Sequence, residues 1–296
     1  MSWRSKRTRS ACCDRRLYDC RPVNTLFATT ALVGFAGAAA AEISVSGSAN
    51  MGVKYDESAT QEMTVHHEID FGINASGETD GGLTFGASVD IDTDNSSGAF
   101  GGADGEVYIG GAFGTLTVGK VDAADDQYFG AIEVGFDGIG LDDEAEAGYG
   151  GGTHDALYTY SMGDFSVAIS GNTDNGNDSV AAGIQYKGPV TIALGYNDDG
   201  TNSALSLGVT GSMGQFGYNL AYVDHDASGQ AYGLGGSYKV SDALTIKGGV
   251  ADNDGASDAS YGVGFDYSLG GGATLAGGLG SIDGNVKADF GVNMSF

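Results

Sequence analysis

Val286-Lys287-Ala288-Asp289-Phe290-Gly291-Val292-Asn293-Met294-Ser295-Phe296 sets apolar and polar residues in strict alternation. Side chains of an extended strand alternate between its two faces. Val286, Ala288, Phe290, Val292, Met294 and Phe296 therefore share one face, and Lys287, Asp289, Gly291, Asn293 and Ser295 share the other. One face suits lipid and the other suits water. A sequence ending on an aromatic fits a last strand that closes a barrel with Phe296 at a membrane interface.

The same pattern recurs upstream. Ile43, Val45, Ala49, Met51, Val53 and Tyr55 alternate over 43–55, and Met63, Val65, Ile69, Phe71 and Ile73 do so over 62–75. Leu83, Phe85, Ala87, Val89 and Ile91 form a third segment. Further segments are expected near 106–113, 115–120, 156–161, 165–172, 178–187, 190–197, 202–210, 216–224, 231–240, 244–252, 259–269, 273–281 and 285–296. They bring the number to sixteen, and an even number lets first and last strands pair antiparallel. Segments of roughly ten alternating residues are the signature of tilted membrane strands. Tight connections such as Phe113-Gly114, Gly163-Asp164, Gly188-Pro189 and Gly214-Gln215 alternate with longer acidic ones such as Asp92 to Asp104 and Asp252 to Asp258. Tyr55, Tyr186, Tyr196, Tyr222, Tyr238 and Tyr267 lie near segment ends, where an interfacial aromatic girdle would place them. The fold class is all-β: a sixteen-stranded antiparallel transmembrane barrel, with a sandwich or β-solenoid as the alternatives. Closure pairs every backbone group, which a lipid environment demands.

The first 41 residues read differently. Arg4, Lys6, Arg7, Arg9, Arg15, Arg16 and Arg21 precede a small, apolar stretch from Thr25 to Ala38, and Ala39-Ala40-Ala41 precedes Glu42. This order is that of an export signal. Cleavage is expected after Ala41, leaving 42–296 as the barrel domain, and translation starting near Val23 would give a shorter leader. All three cysteines (Cys12, Cys13 and Cys20) and Trp3 fall within 1–41, so no disulfide or cysteine metal site remains. No arginine follows either. Removing Asp14 and Asp19 from 39 acids leaves 37 against six lysines, a net charge of −31. Such a field repels phosphate backbones and disfavours nucleic acid as a partner.

Glu42-Ile43-Ser44-Val45-Ser46-Gly47, Gly111-Ala112-Phe113-Gly114, Leu157-Tyr158-Thr159-Tyr160-Ser161, Leu269-Gly270-Gly271-Gly272-Ala273 and the terminal Phe296 occur in that order. With them the chain resembles the sixteen-stranded general porins of Gram-negative outer membranes, of the alphaproteobacterial type. The resemblance implies a homotrimer in outer-membrane lipid, each subunit a water-filled channel for passive diffusion of ions and small hydrophilic solutes. It also implies that the third long loop folds inward and narrows the pore. The matching segment is Val121 to Asp155, with Asp122, Asp125, Asp126, Glu133, Asp137, Asp142, Asp143, Glu144 and Glu146 as the acidic constriction. Tyr128, Phe129, Ile132, Val134 and Phe136 could anchor it inside. The family's wall arginines are absent. Parity points Lys54, Lys247 and Lys287 inward as a reduced basic patch, so a cation-preferring pore is expected.

No enzyme motif stands out. His225 between Asp224 and Asp226 suggests a dyad but has no nucleophile nearby, and His66 and His67 must face opposite sides of a strand. No cofactor is expected, with calcium as the one candidate ion, at Asp142, Asp143 and Glu144. The alternative function is an outer-membrane or surface calcium-binding or adhesion β-protein without channel activity.

Overall fold

The computed structural model describes residues 42–93, 100–150, 152–172 and 178–296. The expected export signal lies outside them. The described residues contain sixteen strands and one short helix. Those before the long loop are β1 (Glu42–Asp56), β2 (Met63–Glu78), β3 (Thr84–Thr93), β4 (Phe100–Gly111) and β5 (Gly114–Asp122). The loop carries helix α1 (Leu141–Ala145) and returns into β6 (Thr153–Met162). Then follow β7 (Phe165–Asn172), β8 (Ser179–Lys187), β9 (Val190–Asp198), β10 (Ser203–Met213) and β11 (Phe216–His225). The last are β12 (Gly229–Lys239), β13 (Leu244–Asn253), β14 (Ser260–Gly270), β15 (Ala273–Ile282) and β16 (Asn285–Ser295).

Every strand pairs antiparallel with its sequence neighbours, and β1 pairs with β16, so the sheet is a closed barrel. The closing register runs from Ser48 opposite Ser295 to Asp56 opposite Lys287. One more pair extends it: the Gly47 N–H donates to the Phe296 carbonyl at 2.8 Å, and the Phe296 N–H donates to Gly47 at 2.9 Å. All sixteen expected strands are present. Two connections differ from expectation. The turn between β3 and β4 is shorter than Asp92 to Asp104, because β4 already starts at Phe100. Asp122 belongs to the end of β5, not to the long loop, which runs over 123–152.

The apolar face is exposed all round. Ile43, Val65, Ile169, Leu194, Leu205, Leu234, Val263 and Leu279 all stand open, with Val65 at 77%. The alternating positions, among them Ala168, Ala181, Ala204, Ala221, Ala231 and Ala251, are buried by the long loop rather than by a second sheet. That is the pattern of a barrel whose outside meets lipid and whose inside is polar or filled. A sandwich would bury the large residues instead. Aromatic pairs mark the short-turn rim: Phe165 with Tyr186 at 4.9 Å and Phe216 with Tyr238 at 4.6 Å between ring centroids. On the opposite rim β15 and β16 meet at Asp283-Gly284, with φ of 45° and 78°. Two positive φ values in a two-residue hairpin match the right-handed twist of the flanking strands.

Candidate functional site: the inner wall and the long loop

A bulge in β5 aims the chain into the barrel. The β5–β6 register shifts between Val118 and Val121, and Gly119 takes a φ of 138° there, in direct contact with β4 backbone. From Ala123 the loop follows the inner wall. The Ala124 N–H donates to Ser170 Oγ on β7 at 2.7 Å, and the Ala124 backbone lies against Gly183 of β8. Asn197 of β9 donates to the buried Asp125 carboxylate at 2.5 Å, and Asn219 of β11 donates to the Gly130 carbonyl at 2.7 Å.

Glycines on the wall make room for the loop's apolar side chains. Ile132 rests on Gly235 and Gly249, Val134 on Gly264, and Ile139 on Gly262 and Gly280; a Cβ at any of these would press into the loop. Helix α1 packs across β11 to β15. Its core contacts are Leu141 and Ala145, both nearly fully buried with Val134, Ile139, Ala221, Ala251 and Ile282.

The loop tip is latched to the closing seam. Phe136 is 3% exposed, and its ring covers Gly52 of β1 and Gly291 of β16. The Phe136 and Asp137 N–H groups both donate to Asp289 Oδ2 on β16, at 2.9 and 3.1 Å. Asn293 donates to the Phe136 carbonyl at 2.9 Å. Lys54 Nζ lies 2.6 Å from Asp137 Oδ2, and His66 Nε2 lies 3.3 Å from the same oxygen. Phe136 and His66 stack edge to face with centroids 5.5 Å apart.

The expected constriction acids divide by role. Asp125 and Glu144 tie the loop to the wall, Glu144 through Asn253 Nδ2 at 2.6 Å. Glu146 braces the loop internally by accepting the Ala131 N–H at 2.5 Å. Asp126 is half-buried beside Asp125 and Tyr149; desolvation, with the Asp125 charge, pushes its carboxyl up to about 7. Burial likewise raises the Glu144 carboxyl, opposed by the Asn253 amide and Lys287. Asp142 is buried in α1, Asp143 follows it, and Glu133 lies beside Gly138. Successive helical residues diverge by about 100°, so Asp142, Asp143 and Glu144 do not converge as calcium ligands. Asp137 reaches Lys54 on the wall directly.

Of the expected basic patch, Lys54 and Lys287 face inward at the long-connection end of the closing seam, with Lys287 Nζ 3.8 Å from Asp56. Lys247 faces inward near the other end of its strand, paired with Asp266 at 2.9 Å, and takes no part in their cluster. A larger feature is a carboxylate field on β2 to β4. Glu68, Asp70, Asp90, Asp92, Asp104 and Glu106 alternate with Ile69, Phe71, Val89, Ile91 and Val107, which stand on the lipid face. Asp70 lies opposite Asp92, and Asp90 opposite Asp104. Lys120 reaches Asp104. The signal was present in the sequence, where acids occupy every second place in Glu68-Ile69-Asp70 and Asp90-Ile91-Asp92. His225 ends β11, and its Nδ1 accepts the Ala227 and Ser228 N–H groups at 3.1 and 2.9 Å, the work of a turn cap rather than of a dyad.

A closed sixteen-stranded antiparallel barrel agrees with what comparison with known proteins finds. The family model of Gram-negative porins matches residues 28–287. A porin of Rhodobacter capsulatus is 32% identical over 292 residues, covering 72% of this chain and 95% of the relative. Solved structures of Rhodopseudomonas blastica porin share the fold. One multiply substituted variant has a TM-score of 0.76 at 22% identity, covering 86% of this chain and all of that one. A triple mutant gives 0.74 at 23% identity with the same coverage. Porins are outer-membrane channels and not enzymes, and this chain belongs to the Gram-negative porin family.

Proposed function

We propose that the chain is exported by its 1–41 leader and assembles as a homotrimer. Each subunit passes ions and small hydrophilic solutes by passive diffusion, with a preference for cations. The observation that carries this reading is the carboxylate field of Glu68, Asp70, Asp90 and Asp92 on the inner wall, facing a loop tip that bears Asp137. The described residues hold no arginine, and of the inward lysines Lys54 and Lys247 are each within 3 Å of a carboxylate oxygen. Fixed charge of one sign along a low-dielectric wall raises the local concentration of counter-ions. Selection is then by size at the latched loop and by sign of charge along the wall. Calcium remains a candidate counter-ion for this field rather than for a cage at Asp142, Asp143 and Glu144.

Planar-bilayer recording under a salt gradient tests the reading. Stepwise channels with a cation-selective reversal potential are expected. Anion selectivity would overturn the charge argument while keeping the channel. Folded protein without conductance would favour the surface calcium-binding or adhesion role.

A further inference from the structure

Among the described residues, three metal-ligating side chains converge at one place: His66 and Glu68 of β2 and Asp137 at the loop tip. Their ligand atoms all lie within 4.8 Å of one another. His66 and Glu68 are two apart on one strand and therefore share the inner face. His66 is only 4% exposed, and neither ring nitrogen makes a hydrogen bond. A buried imidazole normally finds a partner. Here the ring packs edge to face against Phe136, with Nε2 3.3 Å from an Asp137 carboxylate oxygen. Glu68 is oriented by Asn50 Nδ2, which donates to Oε2 at 3.1 Å.

We propose that His66, Glu68 and Asp137 form a binding site for a borderline divalent transition-metal ion such as zinc, at the point where the loop tip meets the wall. Zinc holds nitrogen and oxygen ligands at about 2.0–2.2 Å, so tetrahedral ligand atoms stand roughly 3.4 Å apart. The observed spacing needs a closure of no more than about 1.5 Å, over which a loop tip and a Glu side chain can move. One imidazole with two carboxylates selects zinc, nickel or cobalt over calcium and magnesium, which take oxygen ligands only. Three protein ligands leave a fourth tetrahedral position for a water. Lys54 donates to the same Asp137 oxygen and so competes with the ion. Occupation pins the tip to β2 and adds positive charge beside the acidic wall. Binding does not depend on the channel reading, whereas its effect on conductance does.

Isothermal calorimetry with zinc chloride, on protein extracted from outer membranes and stripped with a chelator, is the test. Saturable binding of one ion per chain is expected, undiminished by millimolar calcium or magnesium. His66→Gln and Glu68→Gln should each weaken binding by at least the roughly 10–100-fold that supporting-shell changes cost. Lys54→Ala should tighten it. The β-sheet thermal transition, followed by circular dichroism, identifies folded variants, and either ligand variant suffices if the other does not fold. Absence of saturable binding, equal competition by calcium, or unchanged affinity in a folded His66 or Glu68 variant would overturn the site. Bilayers then separate the two readings: channels that bind zinc but keep their conductance would refute the effect on permeation and leave the site intact.

Discussion

Truncating Phe136 to alanine isolates what holds the loop tip. The ring is almost wholly buried over Gly52 and Gly291, two residues with no side chain to fill the space it would leave. Removing a buried Phe side chain costs about 3–5 kcal/mol when the surroundings cannot collapse. The sixteen-strand ladder does not run through this contact, so the cost falls on the tip and not on the barrel. At 1.4 kcal/mol per decade, the opening equilibrium of the tip should rise by roughly two to three and a half decades. Hydrogen exchange reads it directly, because the Phe136 and Asp137 amides are the ones bonded to Asp289. Their protection should fall by that factor while the amides of β8 to β10 keep theirs. Single-channel records should show higher conductance and more open-channel noise. Unchanged protection at 136 and 137 would refute the glycine seat as the source of the latch. A matching loss throughout β8 to β10 would refute the separation of loop from barrel.

Leu194→Arg, at the middle of β9 and exposed to lipid, should destabilise the barrel by about 2–4 kcal/mol in urea unfolding, whereas Ile192→Arg, nearer the short-turn rim, should cost less; equal costs would contradict the assigned depth. Asp126 binds its proton more tightly folded than unfolded, since burial raises its carboxyl from 3.8 to about 7. Its contribution to loop stability is therefore full below pH 3.8 and declines as pH rises towards 7. Loop amides, corrected for intrinsic exchange, should open more readily at pH 8 than at pH 5, and Asp126→Asn should abolish the difference. Asp70→Asn with Asp92→Asn removes two like charges set directly opposite each other. That double variant should be more stable than the parent to urea, yet its reversal potential should move towards zero, most clearly at low salt.

The barrel was legible because alternation is a local signal repeated sixteen times. In Val286–Phe296 the lipid face and the lumen face can be told apart with no knowledge of any partner strand. Strand ends were less legible where glycine replaces the pattern: Phe100-Gly101-Gly102-Ala103 begins β4 but shows no apolar alternation. Helix α1 was unforeseen, since five residues are too few to establish a helical period. The roles of the loop acids depend on contacts far apart in sequence, such as Asp125 with Asn197 and Asp137 with Lys54. Nothing near Asp125 announces that it is an anchor and that Asp137 points to the wall. His66 illustrates the same limit. Its neighbour His67 faces the other way, as parity requires, but its partnership with Glu68 and Asp137 exists only once the tip comes down on the wall.

The seat of Phe136 is built half from the first strand and half from the last, Gly52 and Gly291, and the tip is bonded to Asp289 beside them. Neither half is a seat alone. In an assembling chain the tip has nowhere to dock until the two ends of the sheet have met, which makes docking the final event of folding and a report on its completion. The docked tip in turn resists separation of the strands that received it. Narrowing of the pore therefore depends on ring closure, although the ring can stay closed when the tip lifts. A barrel prised open at its seam should release the loop in the same step.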